Sequence, residues 1–184
     1  AGARVAVMGA GGIGFDVAEF LLESSASPAL DVDLWMKEWG VDPLSHDAGG
    51  LRKPAPHKAD RQIWLLQRKP APLGKGLNKT TGWVHRAVVK KKGVTLLGDV
   101  SYQRIDDQGL HILVGTGDKA EASTLAVDSV VLCTGQESVD QLYRQLQAVQ
   151  SAHFGVHLIG GAALASELDA KRAIRQACEL AAAL

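Results

Sequence analysis

Arg4-Val5-Ala6-Val7-Met8-Gly9-Ala10-Gly11-Gly12-Ile13-Gly14 is the stretch that decides the fold. Its first five residues read as a short buried strand, and glycines follow at once. Gly9, Gly11 and Gly14 fit the spacing G-x-G-x-x-G. From Phe15 to Glu23 the apolar residues Val17, Ala18, Leu21 and Leu22 make the stripe of a helix packed on one face. In this strand–turn–helix setting each glycine has a task. Gly9 permits a tight turn, Gly11 lets a pyrophosphate reach the backbone, and Gly14 lets helix and strand approach. Ala10, Gly12 and Ile13 complete the loop, and the helix start offers free N–H groups and partial positive charge to phosphate. Dinucleotide binding is the expectation; a glycine turn used only for packing is the alternative.

Composition sets the outer bounds. The 184 residues suffice for one good core or two small ones, and 46% apolar with 22% charged residues fits a soluble globular protein. Lysine plus arginine equals aspartate plus glutamate, 20 each, which argues against a nucleic-acid partner held by a global basic field. No apolar run approaches the ~20 residues of a membrane span, so no membrane partner is expected. Two cysteines, Cys133 and Cys178, cannot build a multi-cysteine metal or iron–sulfur site; a reduced cytosolic pair is the expectation and a single disulfide the alternative. HExxH is absent, and only His153 and His157 stand at HxxxH spacing, so no metal site is expected. No secretory signal opens the chain, and the cytoplasm is the expected location. The strand pattern at the very start suggests a fragment of a longer polypeptide.

Further along, residues 24–61 read as an insertion between the first helix and the second strand. It holds a candidate helix over Ala29–Trp39 and a proline-broken loop over Arg52–Asp60. Gln62–Gln67 reads as the second strand. Thr80 or Thr81 caps a helix to about Lys92, with Trp83, Val84, Ala87 and Val88 inward and Gly93 ending it. Val94–Leu97 is a third strand. Val100–Ile105 and Leu110–Val114 pair as antiparallel strands around Asp106–Gly109. Ala126–Cys133 is a buried strand closing on Thr134-Gly135, Val139–Gln150 a polar helix, Val156–Ile159 a final buried strand, and Leu164–Leu184 a long helix. The fold class is α/β, a Rossmann-like parallel sheet with antiparallel crossover strands.

Nucleotide choice is written at the end of the second strand. NAD(H) binding places a carboxylate there to accept from the ribose 2′-hydroxyl. This chain has Arg68 and Lys69 instead, which would hold a 2′-phosphate by charge-assisted hydrogen bonds and so favour NADP(H). The alternative is that both simply solvate the strand end. The segment Lys75–Gly82 looks like a P-loop but lacks its glycines at 73 and 78, so NTP hydrolysis is rejected. Lys75 or Lys79 can cover the adenosine phosphate, or the loop is only solvated. Small residues at Thr134-Gly135 and Gly160-Gly161-Ala162 let a cofactor lie across a sheet edge, or make tight turns.

The segments RVAVMGAGGIGFDVAEFL (4–21), KEWGVD (37–42), AGGL (48–51), LLQRK (65–69), GLNKTTGWVHR (76–86), DVSYQRIDDQGLH (99–111), VVLCTGQE (130–137), VHLIGGA (156–162) and ELDAKRAI (167–174) together resemble the carboxyl-terminal part of bacterial NADPH-dependent 2,4-dienoyl-CoA reductases. The likeness runs over essentially the whole chain, insertion included. It implies a disulfide-reductase-type NADP(H) domain at 1–150 and the return segment of an FAD domain at 151–184. It also implies an amino-terminal barrel with FMN, a 4Fe-4S cluster and the dienoyl-CoA site, none of them in this chain. Hydride passes from NADPH to FAD in such proteins, then electrons pass singly through the cluster to FMN and substrate in unsaturated fatty acid β-oxidation. Gly161 and Ala162 would lie near the flavin, although Gly160-Gly161 departs from the Gly-Asp of many relatives.

On this reading Gly9–Gly14 seats the pyrophosphate, Arg68 and Lys69 select the 2′-phosphate, and Thr134-Gly135 borders the nicotinamide. No residue need act as acid or base, so no catalytic residue is assigned, and the fragment alone is expected to be inactive. Its expected partners are NADPH and the missing FAD and barrel domains. The rivals are another flavin oxidoreductase of the enoate or amine type and a free-standing dinucleotide sensor.

Overall fold

The computed structural model describes residues 2–23, 28–55, 59–149, 154–165 and 169–184. They form two compact units, 1–133 and 134–184. His57, Leu168 and the stretch 150–153 with His153 lie outside the described residues, as do parts of the insertion (24–27, 56–58).

In the first unit, strand β1 (Arg4–Met8) leads to helix α1 (Gly12–Leu22). After the insertion come β2 (Gln62–Leu66), α3 (Gly82–Lys91) and β3 (Thr95–Leu97); the insertion itself holds α2 (Val32–Trp39). A three-stranded antiparallel meander follows, β4 (Val100–Asp106), β5 (Gly109–Val114) and β6 (Glu121–Leu125), before β7 (Ser129–Leu132) returns to the first sheet. The parallel sheet has the order β3-β2-β1-β7 and the meander the order β4-β5-β6. β1 pairs with β2 in register from Arg4↔Gln62 to Met8↔Leu66, so the insertion leaves the βαβ unit intact.

Why this sheet is the centre follows from alternation. Val5 and Val7 point to one face, where Phe15, Ala18 and Leu22 of α1 and Val89 of α3 bury them together with Ile63 and Leu65. Ala6 and Met8 point to the other, where Val100, Leu110, Ile112 and Leu125 of the meander cover them. A strand buried on both faces has no polar side to show, which is why RVAVM is apolar throughout after its arginine.

Several sequence expectations are corrected. Trp83 is 58% exposed, and Val89, not Trp83, is the buried apolar side chain of α3. Gly82 and Val89 are its buried positions, seven residues or two turns apart, and Trp83 lies one residue off that stripe. The strand before Cys133 shortens to Ser129–Leu132; it is an edge strand, and Leu132 is 67% exposed. β6 was not anticipated, because Glu121–Leu125 is polar and exposed except at Leu125.

The insertion has its own order. Asp31 caps α2 by accepting from Leu34 N at 2.9 Å, and Gly40 ends it at φ +74. Val41 bridges Leu51, and Lys91 of α3 donates to Glu38 O (3.0 Å) with its ammonium 4.2 Å from the Trp39 ring centre. That cation–π contact and hydrogen bond fasten α2 to α3.

Arg4 joins β1 to the turn before β7. Its backbone N donates to Asp128 Oδ2 at 2.8 Å, and its guanidinium donates to Oδ1 through Nε (3.2 Å) and Nη2 (2.6 Å). The Arg4 side-chain and backbone hydrogen bonds hold the Asp128 carboxyl below the usual carboxylate range. His111, hydrogen-bonded to Asp106 at 2.8 Å, does the same there. A carboxyl depressed in the folded state stabilises above its unfolded pKa of about 4 and loses that contribution as pH falls. The melting temperature is therefore expected to fall below about pH 4, and Asp128→Asn to flatten that acid limb while lowering the neutral-pH plateau slightly. Thermal melts between pH 2.5 and 7 check this; an acid limb unchanged in the variant would remove Asp128 from its causes.

The second unit contains α4 (Gln141–Gln147), α5 (Gly160–Ala163) and α6 (Ala170–Ala183). Two expectations change here. Val156–Ile159 pairs with no strand among the described residues, although Ile159 keeps an extended backbone (φ −137, ψ 169). The segment is half-buried to exposed and not a core strand, so His157 lies in no strand either. An extended segment becomes a strand only beside a partner that takes up its N–H and C=O groups. The helix expected over Leu164–Leu184 starts later: Leu164 and Ala165 are not helical, α6 begins at Ala170 and is capped by Asp169, which accepts from Arg172 N at 2.7 Å, and the short α5 precedes the expected span. Gln176 Oε1 accepts from Gly160 N (2.8 Å) and the Arg172 guanidinium donates to Leu164 O, which tie the two helices together.

Candidate functional site

β1 ends where the glycine turn begins. Gly9 takes φ +111, which favours glycine, and donates to Leu66 O at 2.8 Å, so the turn stays pinned to β2. Gly11 is the N-cap of α1, extended at φ −83 and ψ −173, with no side chain capping the helix. The first N–H groups of α1 therefore have no intrahelical acceptor and no cap. A Cβ built on Gly11 or Gly12 meets nothing within 4 Å, and both residues are exposed together with Ile13. Gly14 is the opposite case: its Cβ would fall 1.8 Å from Gly9 O. The three glycines thus divide their work as spacing suggests, with open space before the helix start and backbone contact behind it. An anionic diphosphate fits this cradle on both shape and charge.

Arg68 and Lys69 leave the sheet on the same edge. β2 is parallel to β1 and in register with it, so the residues after Leu66 emerge beside Gly9. Both side chains are exposed, and no carboxylate stands at 67–69. The loop that carries them is well held. Gln67 Nε2 donates to Lys69 O (2.9 Å) and to Ala71 O, Asp99 N donates to Lys69 O (3.1 Å), and Arg86 Nη1 donates to Gly74 O (2.9 Å). Gly74 packs on Phe15 so closely that a Cβ there would come 2.8 Å from Phe15 Cζ. Burial pushes the Tyr102 phenol up, and the Arg68 charge draws it partly back, which sets Arg68 within electrostatic reach of the start of the meander. Lys75 and Lys79 are exposed in the same loop, Asn78 Oδ1 accepts from Thr80 N at 2.9 Å, and Thr81 is the N-cap of α3 with no side-chain cap hydrogen bond. Sequence reading passed over Gln67; only the strand-end position next to Arg68 hinted at it.

On the other side of β1 runs β7, also parallel, with Cys133 N donating to Met8 O at 2.7 Å. Chain order turns outward in opposite directions from β1, so the carboxyl ends of β1 and β7 flank a topological switch point. Thr134 and Gly135 (φ +138) open the second unit, and both are exposed. Gly161 and Ala162 lie in α5 of that unit. Burial pushes the Cys133 thiol up, which makes it a poor nucleophile, and Cys133 and Cys178 are both free. Among the described residues no group of three or more His, Cys, Asp or Glu could hold a metal ion, and no helix is long and apolar enough to cross a membrane. The histidine pairs are structural: His85 with Glu19 at 2.7 Å joins α3 to α1, and His111 bridges Asp106 and Thr124.

Comparison with known proteins agrees with this geometry. Residues 1–156 match the family model described as pyridine nucleotide-disulphide oxidoreductase. Among solved structures, a 2-naphthoyl-CoA reductase in complex with 2-naphthoyl-CoA matches at 18% identity and a TM-score of 0.59 over 94% of this chain. The 6-hydroxypseudooxynicotine amine oxidase of Pseudomonas geniculata N1 matches at 17% identity and the same TM-score over 89%. Each match uses only 20% of the other chain, so this chain spans about a fifth of the length of these structures. The likeness shows a shared α/β fold, a parallel sheet with an antiparallel crossover meander. With most of its length under that model, the chain belongs to the pyridine nucleotide-disulphide oxidoreductase family.

Proposed function

We propose that this chain is the NADP(H)-binding portion of a flavin-dependent reductase of the 2,4-dienoyl-CoA reductase type. The observation that carries the reading is the pairing of an open glycine cradle at the start of α1 with Arg68 and Lys69, in a strand-end segment 67–69 that itself carries no carboxylate, on the same sheet edge. NADPH would supply a hydride and FAD would accept it. The residues of this chain bind and orient. The turn Gly9–Gly14 seats the pyrophosphate, with Ala10, Gly12 and Ile13 framing the helix N–H groups. Arg68 and Lys69 hold the 2′-phosphate, Thr134-Gly135 borders the nicotinamide, and Gly161-Ala162 faces the flavin.

The acyl-CoA branch rests on the sequence resemblance and agrees with the naphthoyl-CoA reductase likeness. The amine oxidase likeness, at the same TM-score, keeps an amine-type flavoprotein as the second reading. Dienoyl-CoA and secondary amines assayed with the full-length protein separate them.

Titration calorimetry with NADPH and NADH side by side tests the nucleotide assignment. NADPH is expected to bind more than about 100-fold more tightly, since two charge-assisted contacts at about 1.5–3 kcal/mol each are available to the 2′-phosphate alone. Arg68→Ala with Lys69→Ala should erase that preference and leave NADH binding unchanged. Equal affinity for the two nucleotides in the wild type would overturn the NADP(H) assignment.

A further inference from the structure

The loop that carries Arg68 and Lys69 is shaped by a residue outside the phosphate-binding set. Gln67 continues the β2 face of Ile63 and Leu65, the face packed under α1 and α3. Its backbone is fixed on both sides: Gln67 N donates to Leu97 O at 2.9 Å, and Gln67 O accepts from Val100 N at 3.1 Å. Its side-chain amide then folds forward and donates to Lys69 O (2.9 Å) and Ala71 O. From the other side, Asp99, held in the left-handed region at φ +55, donates its N–H to Lys69 O (3.1 Å). A Cβ on Gly98 would meet Lys69 O at 3.4 Å and Ala71 O at 3.5 Å, ordinary van der Waals distances, so the β3–β4 turn lies beside the same two carbonyls. The Lys69 carbonyl takes two donors, and the backbone between residues 67 and 71 is drawn into one curve with Arg68 and Lys69 exposed on its outside.

We infer that Gln67 is a positioning residue for nucleotide selectivity: its amide latches the 68–71 backbone so that Arg68 and Lys69 are presented together to a 2′-phosphate. The inference rests on the NADP(H) reading and deepens it. Preorganisation of this kind saves the ordering of two long side chains on binding. Because the latch acts only on the strand-end loop, it should matter to the ligand that uses that loop and not to the pyrophosphate cradle, which is held separately by Gly9 N and Gly14.

The test is calorimetry of wild type, Gln67→Met and Gln67→Thr with NADPH and NADH, alongside thermal melts. Met keeps the length of the side chain and Thr suits a strand end, so one serves if the other does not fold. The dissociation constant for NADPH is expected to rise about tenfold in either variant, with that for NADH changing less than about twofold. Amide exchange at Arg68, Lys69 and Ala71 should quicken, and adding Arg68→Ala to Gln67→Met should cost less than the two changes separately, because they act through one contact. Equal weakening of both nucleotides would show Gln67 to be merely structural, and an unchanged NADPH constant in a variant that folds would equally overturn the inference. Wild type with no preference for NADPH would overturn the nucleotide reading itself, and this inference with it.

Discussion

Gly14→Ala is expected to abolish the cooperative melt of the first unit. The added Cβ would sit 1.8 Å from Gly9 O and 2.9 Å from Gly9 C. Both are backbone atoms of the turn that leaves β1, and Gly9 is itself anchored to Leu66 O. No flexible side chain can move aside. Relief would require α1 to withdraw from the sheet, and with it Phe15, Ala18 and Leu22, which are fully or almost fully buried against Val5, Val7 and Leu65. Displacing one large core side chain costs about 3–5 kcal/mol, and domains hold only about 5–15 kcal/mol in all. Differential scanning calorimetry is the check. A melt within a few degrees of the wild type would mean that the helix and turn can separate without loss of the core, and the close approach drawn here would be wrong.

How far the sequence could be read follows the same logic of local against tertiary causes. RVAVMGAGGIG was legible because its cause is local: a strand, a turn needing φ +111 at Gly9, and a helix whose start must lie against backbone. The turn Asp106–Gly109 was legible for a like reason, with Gly109 at φ +121. By contrast, β6 is defined by its partner. Its residues Glu121–Leu125 pair with Leu110–Val114 and bury only Leu125, so no apolar pattern marked it. Val156–Ile159 fails in the opposite direction: its residues suit a buried strand, yet the second unit offers it no neighbour among the described residues. Trp83 was placed inward by periodicity alone, but the helix turns its Gly82–Val89 stripe to the core instead. For the site, local pattern places the glycine turn after β1 and Arg68 and Lys69 at the carboxyl end of the parallel strand β2. The Gln67 latch was not legible, because it depends on where the backbone curls after β2 and on the β3–β4 turn that meets it.

Gly11→Val should do what Gly14→Ala cannot: remove nucleotide binding and leave the fold in place. Gly11 already has the backbone of a strand residue, φ −83 and ψ −173, which valine adopts freely. Its Cβ would enter empty space, with no atom within 4 Å. As an N-cap, valine is poorer than glycine, a loss of about 1 kcal/mol or less, so a melting shift of only a few degrees is expected. The isopropyl group would nonetheless occupy the volume in front of the α1 N–H groups, where a pyrophosphate must come within hydrogen-bonding distance of the backbone. The dissociation constants for NADPH and NADH should therefore both rise, by about 100-fold or more, since the diphosphate is common to the two. That parallel loss separates the cradle from the strand end, where Arg68→Ala with Lys69→Ala acts on NADPH alone. Gly76→Ala is the control, since Gly76 is exposed and its Cβ also meets nothing within 4 Å. If Gly11→Val bound both nucleotides like the wild type, the diphosphate would have to lie elsewhere, and the open space at the start of α1 would be only the by-product of a glycine turn required by Gly14.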